Sequence, residues 1–233
     1  MINTEKFKDL LTQLDMQFKD INLLAKAFTH RSYLNEHRNS GLEHNERLEF
    51  LGDAVLELVV TDFLYLTYPK KPEGEMTALR SALVNAQTLS EVALKLGLNE
   101  FLLLSKGEAK DTGRARQYIL ANTIEALIGA LYLDQGYDVA RKFIHEHVHS
   151  LLEEVIDQKK FIDSKSQFQE LAQEHVGATP RYELLKEFGP DHDKLFTVGV
   201  FLGDTHIATG EGKSKQEAET QAAYKGLVAK KWA

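Results

Sequence analysis

A chain of 233 residues, 43% of them hydrophobic, is long enough to bury a core in one large or two modest domains. It has no cysteine, which excludes disulfides, thiolate metal ligands and thiol nucleophiles and fits a reducing compartment. The net charge of -7 speaks against phosphate binding over the whole surface, but residues 159–233 carry 11 basic and 11 acidic residues, so the acidic excess lies entirely upstream.

The first 20 residues are charged throughout and lack the apolar segment of a secretory signal. No stretch approaches the ~20 apolar residues of a membrane span. A cytoplasmic protein without a membrane partner is expected. From Asn3 to about Gln158 apolar residues recur at helical spacing, first Leu10, Leu11 and Leu14, later Leu56, Val59, Val60 and Phe63. Pro69 and Pro72 close one long helix, Gly97 follows another at Leu96, and Gly136 ends a third after Asp134 and Gln135. The charged run Asp157-Gln158-Lys159-Lys160 marks a linker, set at 157–162, between an all-helical unit over 1–156 and a shorter unit over 163–233.

In the second unit Ser164 to Val176 is predicted helical, Tyr182 to Phe188 and Phe196 to Leu202 alternate, Thr205 to Thr209 is a short third strand, and Ser214 to Lys231 is helical. Phe196, Val198, Val200 and Leu202 share one face of the second strand, with Thr197, Gly199 and Phe201 on the other. The fold class is therefore mainly α: an all-helical domain followed by a small α+β module in the order α-β-β-β-α, its helices covering one face of the sheet.

Residues 44–58, HNERLEFLGDAVLEL, put Glu46, Glu49 and Asp53 at i, i+3 and i+7 of a helix, apart from the stripe of Leu48, Leu51, Val55 and Leu58. Taken alone, a solvated acidic face explains this spacing. Residues 119–134, ILANTIEALIGALYLD, are almost wholly apolar except for Asn122 and Glu125. A Glu in such a helix needs a cation, a hydrogen-bond partner or a raised pKa. If the two helices pack, Glu49, Asp53, Asn122 and Glu125 converge as an all-oxygen site suited to Mg²⁺ or Mn²⁺ and not Zn²⁺. Ions so held can activate water and stabilise both oxygens of an in-line displacement at a phosphodiester.

HNERLEFLGD (44–53) resembles the signature of the ribonuclease III family, and AFTHRSYLNE (27–36), PEGEMTALRSALVN (72–85) and ANTIEALIGALYLD (121–134) resemble its other motifs in the same order. The resemblance extends over essentially the whole chain. It implies a metal-dependent endoribonuclease that hydrolyses double-stranded RNA to 5′-phosphate and 3′-hydroxyl ends, in ribosomal and messenger RNA processing. It implies that Glu49, Asp53, Asn122 and Glu125 hold Mg²⁺, for which Mn²⁺ can substitute, that Glu46 and Glu73 assist at the cleavage site, and that Asp53 and Glu125 are the foremost catalytic positions. It implies a homodimer, with Phe50 packing into the partner; an internal core position is the other reading of Phe50.

The chain departs from the family pattern at Asn122, where the motif usually has Asp. An Asn oxygen can ligate Mg²⁺ but removes one negative charge, which implies weaker ion binding. A tolerated variant, an impaired enzyme and an introduced substitution all remain open. The alternative function is a double-stranded RNA-binding regulator whose cleavage is impaired by Asn122.

Residues 163–233 resemble a double-stranded RNA-binding domain, which reads duplex shape through minor grooves and phosphates. The resemblance places Gln167 and Glu170 on the first helix and His192 in the loop GPDHD (189–193) at minor grooves. It places Lys213 and Lys215, at the start of the last helix, on phosphates, where helix N–H groups add to anion binding. Gln216 replaces a usual lysine, which implies weaker phosphate affinity. GEGKS (210–214) is no P-loop, because Ile207 stands where the first glycine is required, and no nucleotide cofactor is expected. Lys106, Lys110, Arg114 and Arg116 form a basic loop that either tracks phosphates or is simply solvated. His145, His147 and His149 read as surface histidines, the segment lacking a further zinc ligand, and His30 and His44 as packing or capping residues.

Overall fold

The computed structural model describes residues 4–152, 155, 164–190 and 194–232, and the expected linker at 157–162 lies outside them. The chain divides into two compact units, Met1–Phe161 and Ile162–Ala233.

The first unit is built of α1 (Thr4–Gln13), α2 (Ile21–Ala27), α3 (Arg31–Glu36), α4 (Glu46–Thr67), α5 (Glu73–Val84), α6 (Ala86–Lys95), α7 (Arg114–Gln135) and α8 (Tyr137–His147). The local signals act as expected. Asp20 accepts from the Asn22 N–H to start α2, Asn85 accepts from the Thr88 N–H to start α6, and Gly136 ends α7 at φ +89. α7 is buried on nearly every face, from Ile119 to Leu131, and packs against α2, α4, α6 and α8. No helix among the described residues is long and apolar enough to cross a membrane.

α4 lies against α7 at backbone contact. A methyl group built on Gly52 would stand 1.7 Å from the Glu125 carbonyl oxygen, and one on Gly129 would stand 2.3 Å from the Leu48 carbonyl oxygen. The start of α4 is pinned by Asn45, whose buried amide donates to the Ala27 carbonyl at 3.1 Å and whose own N–H donates to Thr29 at 2.9 Å. The segment after α6 is tied to the same place, since Leu103 N–H donates to Phe28 and His30 N–H to Leu103.

The second unit comprises α9 (Ser164–Val176), strands β1 (Pro180–Phe188), β2 (Leu195–Leu202) and β3 (Thr205–Gly212), and α10 (Lys215–Lys230). The strands form an antiparallel sheet in the order β1-β2-β3. Val198 and Val200 turn inward, and Phe168, Val200, Ala222, Ala223 and Leu227 make the core. β3 runs past the expected end at Thr209, because Gly210 and Gly212 continue the ladder opposite Val198 and Phe196. Gly210 also lets α10 approach the sheet, since a methyl group there would stand 2.2 Å from the Ala222 nitrogen.

Gly52→Ala should cost at least about 3 kcal/mol in urea denaturation, the upper range for overpacking, because the methyl group meets backbone on the facing helix. Gly74→Ala, in α5 with open space around it, should instead stabilise by up to about 1 kcal/mol. Equal effects of the two substitutions would mean that the α4–α7 contact is looser than described.

Candidate active site

Glu46, Glu49 and Asp53 stand on the first turns of α4, and Asn122 and Glu125 near the middle of α7. The glycine contact brings these helix faces together. Burial first, then the charges of Asp53 and Glu49, push the Glu125 carboxyl up to about 8. Glu49 is also raised, by burial, the Glu46 charge and the Asp53 charge, while hydrogen bonding from Asn122 opposes them. Glu49, Asp53, Asn122 and Glu125 thus form one electrostatically coupled group.

The role of Asn122 in that group differs from a bare oxygen ligand. Its amide supplies a hydrogen bond that favours ionised Glu49. A carboxylate at position 122 could not donate in this way and would add a fourth negative charge. The sequence pattern exposes the lost charge of this departure but not the gained donor.

Among the described residues, no three His, Asp or Glu side chains are placed to hold a metal ion. The donor set nevertheless fits a hard divalent cation in its chemistry, being three carboxylates and one amide oxygen with no nitrogen or sulfur ligand. It fits in its energetics as well, because the repulsion and desolvation that raise Glu125 and Glu49 are what a cation would offset.

Glu46 is exposed, with the Arg31 guanidinium at 3.5 Å and the His44 imidazole at 3.6 Å. Arg31 belongs to a motif quoted from the sequence, yet its pairing across to α4 was not foreseen. Glu73 opens α5 and accepts from the Thr77 hydroxyl at 2.8 Å; its charge is not among those acting on Glu49 or Glu125. Phe50 is 82% exposed, which overturns the core reading within one chain. Leu58, Tyr65 and Leu66 are exposed apolar residues further along the same helix, so Leu58 does not share the buried face of Leu48 and Val55 that its spacing predicts.

Other sequence candidates resolve differently. Arg116 is a staple rather than a phosphate contact, donating to the Asp111 and Glu108 carbonyls and to the Asn99 side chain. His30 caps α3 by accepting from the Ser32 N–H, as its capping reading expects. His149 is not a surface histidine: it is buried, stacks on Phe63 at 3.9 Å, and burial first and then the His145 charge push it down to about 4. In the second unit Gln167 and Glu170 are exposed on α9, and Lys213 and Lys215 are exposed around the start of α10. His192 lies outside the described residues. The start of α10 is partly self-capped, because Glu217 accepts from the Lys213 N–H at 2.7 Å while Ser214 accepts from the Glu217 N–H at 3.1 Å.

Residues 20–152 match the Ribonuclease-III-like family model and residues 164–228 the double-stranded RNA binding motif. The chain is 50% identical over 215 residues to Ribonuclease 3 of Carboxydothermus hydrogenoformans, covering 92% of this chain and 91% of the relative. It is 46% identical over 224 residues to Ribonuclease 3 of Bdellovibrio bacteriovorus, covering 96% and 95%. The ribonuclease III nuclease domain of Campylobacter jejuni, described as flexible in a region involved in dimer formation, matches with a TM-score of 0.55 and 39% identity, over 64% of this chain and 97% of that one.

The raised Glu125 carboxyl has a consequence for stability. Its folded pKa lies above its ordinary value of 4.5, so its contribution is full below that value and is lost as pH rises through about 8. Ion-free protein should lose stability across that window, on the order of 3 kcal/mol after discounting for partial solvent exposure. Thermal melts should show Glu125→Gln nearly flat over the same range, and Mg²⁺ should rescue the parent chain more than the variant. Parallel melting curves for the two proteins at every pH would place Glu125 in an ordinary solvated setting.

Proposed function

The chain belongs to the ribonuclease III family, and from that membership we propose how its residues divide the work. It is a double-strand-specific endoribonuclease whose C-terminal unit binds duplex RNA. The cleavage site in this proposal is the group Glu49, Asp53, Asn122 and Glu125, with Glu46 and Glu73 assisting. The observation that supports it is the coupling of carboxylates from two helices, with Glu125 pushed up to about 8 inside a largely apolar helix. Nothing among the described residues favours the alternative of a regulator that binds without cutting.

Family members depend on a divalent metal, and Mg²⁺, with Mn²⁺ as a substitute, is the proposed ion. When bound, it would polarise the scissile phosphate and lower the cost of ionising the attacking water. The chain's own part is to supply oxygen donors on facing helices, with the Asn122 hydrogen bond favouring the ionised form of Glu49 against burial. Glu125 holds a proton in the ion-free protein at neutral pH and gives it up to serve as a donor. Water adds to phosphorus and the 3′-oxygen leaves, giving the 5′-phosphate and 3′-hydroxyl ends.

Gln167, Glu170 and His192 are proposed at minor grooves and Lys213 and Lys215 at phosphates. The substrates are proposed to be structured ribosomal and messenger RNA precursors, met in the cytoplasm. Phe50 and the exposed apolar residues beyond it on α4 are proposed to meet a second copy of the chain, giving a homodimer with one cleavage site per subunit.

With a long perfect RNA duplex, Asp53→Asn and Glu125→Gln should each slow cleavage by more than about 100-fold, beyond the loss expected for a residue that merely supports a ligand, while gel-shift binding persists. Binding and cleavage lost together would remove these residues from the catalytic role. Asn122→Asp should lower the Mg²⁺ concentration for half-maximal cleavage by roughly tenfold or more, since it adds a full charge to the cluster. An unchanged Mg²⁺ requirement would separate position 122 from the ion. Phe50→Asp should shift the chain to a monomer in sedimentation, and an unaltered dimer would move the interface elsewhere.

A further inference from the structure

Away from the carboxylate cleft, the nuclease unit holds a cavity of about 720 Å³ bounded by α1, α3 and the loop that follows α3. Its floor is apolar, with Phe7, Leu42 and Leu103. One wall is the stacked pair Tyr33 and His37, whose rings lie 4.0 Å apart at an interplanar angle of 12°. The Tyr33 carbonyl accepts from His37 Nδ1 at 3.0 Å, which fixes the imidazole and leaves its Nε2 for another partner. Lys6 and Arg38 also line the cavity, and neither forms an ion pair with a carboxylate among the described residues. The one carboxylate in the lining, Glu36, is turned to the chain, where it accepts from the Lys106 N–H at 3.2 and 3.3 Å.

We propose that this cavity binds a nucleoside monophosphate unit, with its base against the Tyr33–His37 rings and its phosphate between Lys6 and Arg38. The size falls in the range of small-molecule pockets. In a chain of net charge -7, two cations at one cavity without a carboxylate ion pair favour an anion; the Lys6 ammonium rests on the Phe101 ring, 5.7 Å from its centroid, and the lining with Glu36 counted keeps one positive charge. An aromatic wall beside them favours a planar ring, because base stacking on aromatic side chains contributes to nucleotide binding whatever the base. Asn35 and Asn39, also in the lining, offer both donors and acceptors to a base edge or sugar. Inorganic phosphate would leave the ring wall unused, and a bare nucleoside would leave the cations unused. The unit can be a free mononucleotide or one nucleotide of an RNA strand. The second source is within reach because α3 begins at Arg31, which pairs with Glu46, and ends at the cavity about 9 Å further along the helix.

The test is calorimetric titration of the full chain in EDTA with adenosine 5′-monophosphate, adenosine and inorganic phosphate as probes. One saturable site for the monophosphate is expected, with adenosine and phosphate each at least about tenfold weaker. Arg38→Ala and Tyr33→Leu should each weaken the monophosphate at least about tenfold, and Tyr33→Phe should restore it, with melting temperatures showing that all three variants fold. Protein saturated with duplex RNA will still take up the probe if the natural source is a free nucleotide, and will refuse it if a strand nucleotide occupies the cavity. The proposal is overturned by the absence of saturable heat up to about 10 mM, or by equal affinity in the parent chain and folded Arg38→Ala. The titration requires neither metal nor cleavage, so its failure would leave the carboxylate assignment untouched.

Discussion

The carboxylate cluster depends on two glycines that let α4 and α7 meet backbone to backbone. Helices separated by ordinary side chains pack with axes ~8–10 Å apart, and acidic groups on their flanks could then stay in solvent. Gly52 and Gly129 remove that spacer, and the atoms that meet Gly52 belong to Glu125 itself. The residue whose backbone forms the contact therefore carries the most strained carboxyl. Glu49 and Asp53 flank Gly52 in sequence, so closing the helix pair necessarily brings their charges against Glu125.

That arrangement runs against stability, and the surrounding packing is what sustains it. α7 offers its carboxylate in a helix otherwise sheathed by α2, α4, α6 and α8, so Glu125 loses water without gaining a cationic side chain. The opposing force is apolar burial, with Leu56, Val60 and Leu64 of α4 and Ile124, Leu127 and Leu131 of α7 all buried in one hydrophobic core. Asn45 anchors the start of α4 to the α2–α3 turn, so the acidic end of the helix cannot swing out to relieve the repulsion. Asn122 moderates the strain by serving one of the carboxylates.

The two-domain fold and the acidic spacing were legible because both follow from periodicity. Glu46, Glu49 and Asp53 share a face by helical geometry alone, and Pro69, Pro72 and Gly136 mark helix ends by backbone chemistry that does not depend on neighbours. What was missed required knowing which distant segments meet. His149 reads as exposed in a polar run until Phe63, 86 residues away, is seen stacked upon it. Arg116 reads as a free cation until its guanidinium is seen closing its own loop. Gly210 and Gly212 read as a strand end because propensity carries no information about the partner strand. The cavity beside α3 draws on segments that are apart in sequence, and no single motif announces it.

The distribution of charge would couple ion binding at the proposed cluster to RNA binding. The second unit carries 9 basic and 11 acidic residues over 162–233, and backbone donors at the start of its last helix already go to Ser214 and Glu217, so the phosphate contacts proposed there would rest largely on lysine side chains. Most of the acidic excess, 24 acidic against 19 basic residues over 1–161, lies in the nuclease part of the chain, where it repels a polyanion. Cations that settle among Glu49, Asp53 and Glu125 would therefore do more than assist the chemistry, since each also removes part of the barrier to the duplex. Such coupling is reciprocal: whatever factor the ions add to RNA affinity, RNA must add to ion affinity. The repulsion that costs the ion-free protein stability is also what a cation would relieve, so the strain of the cluster would add to its affinity for the ion.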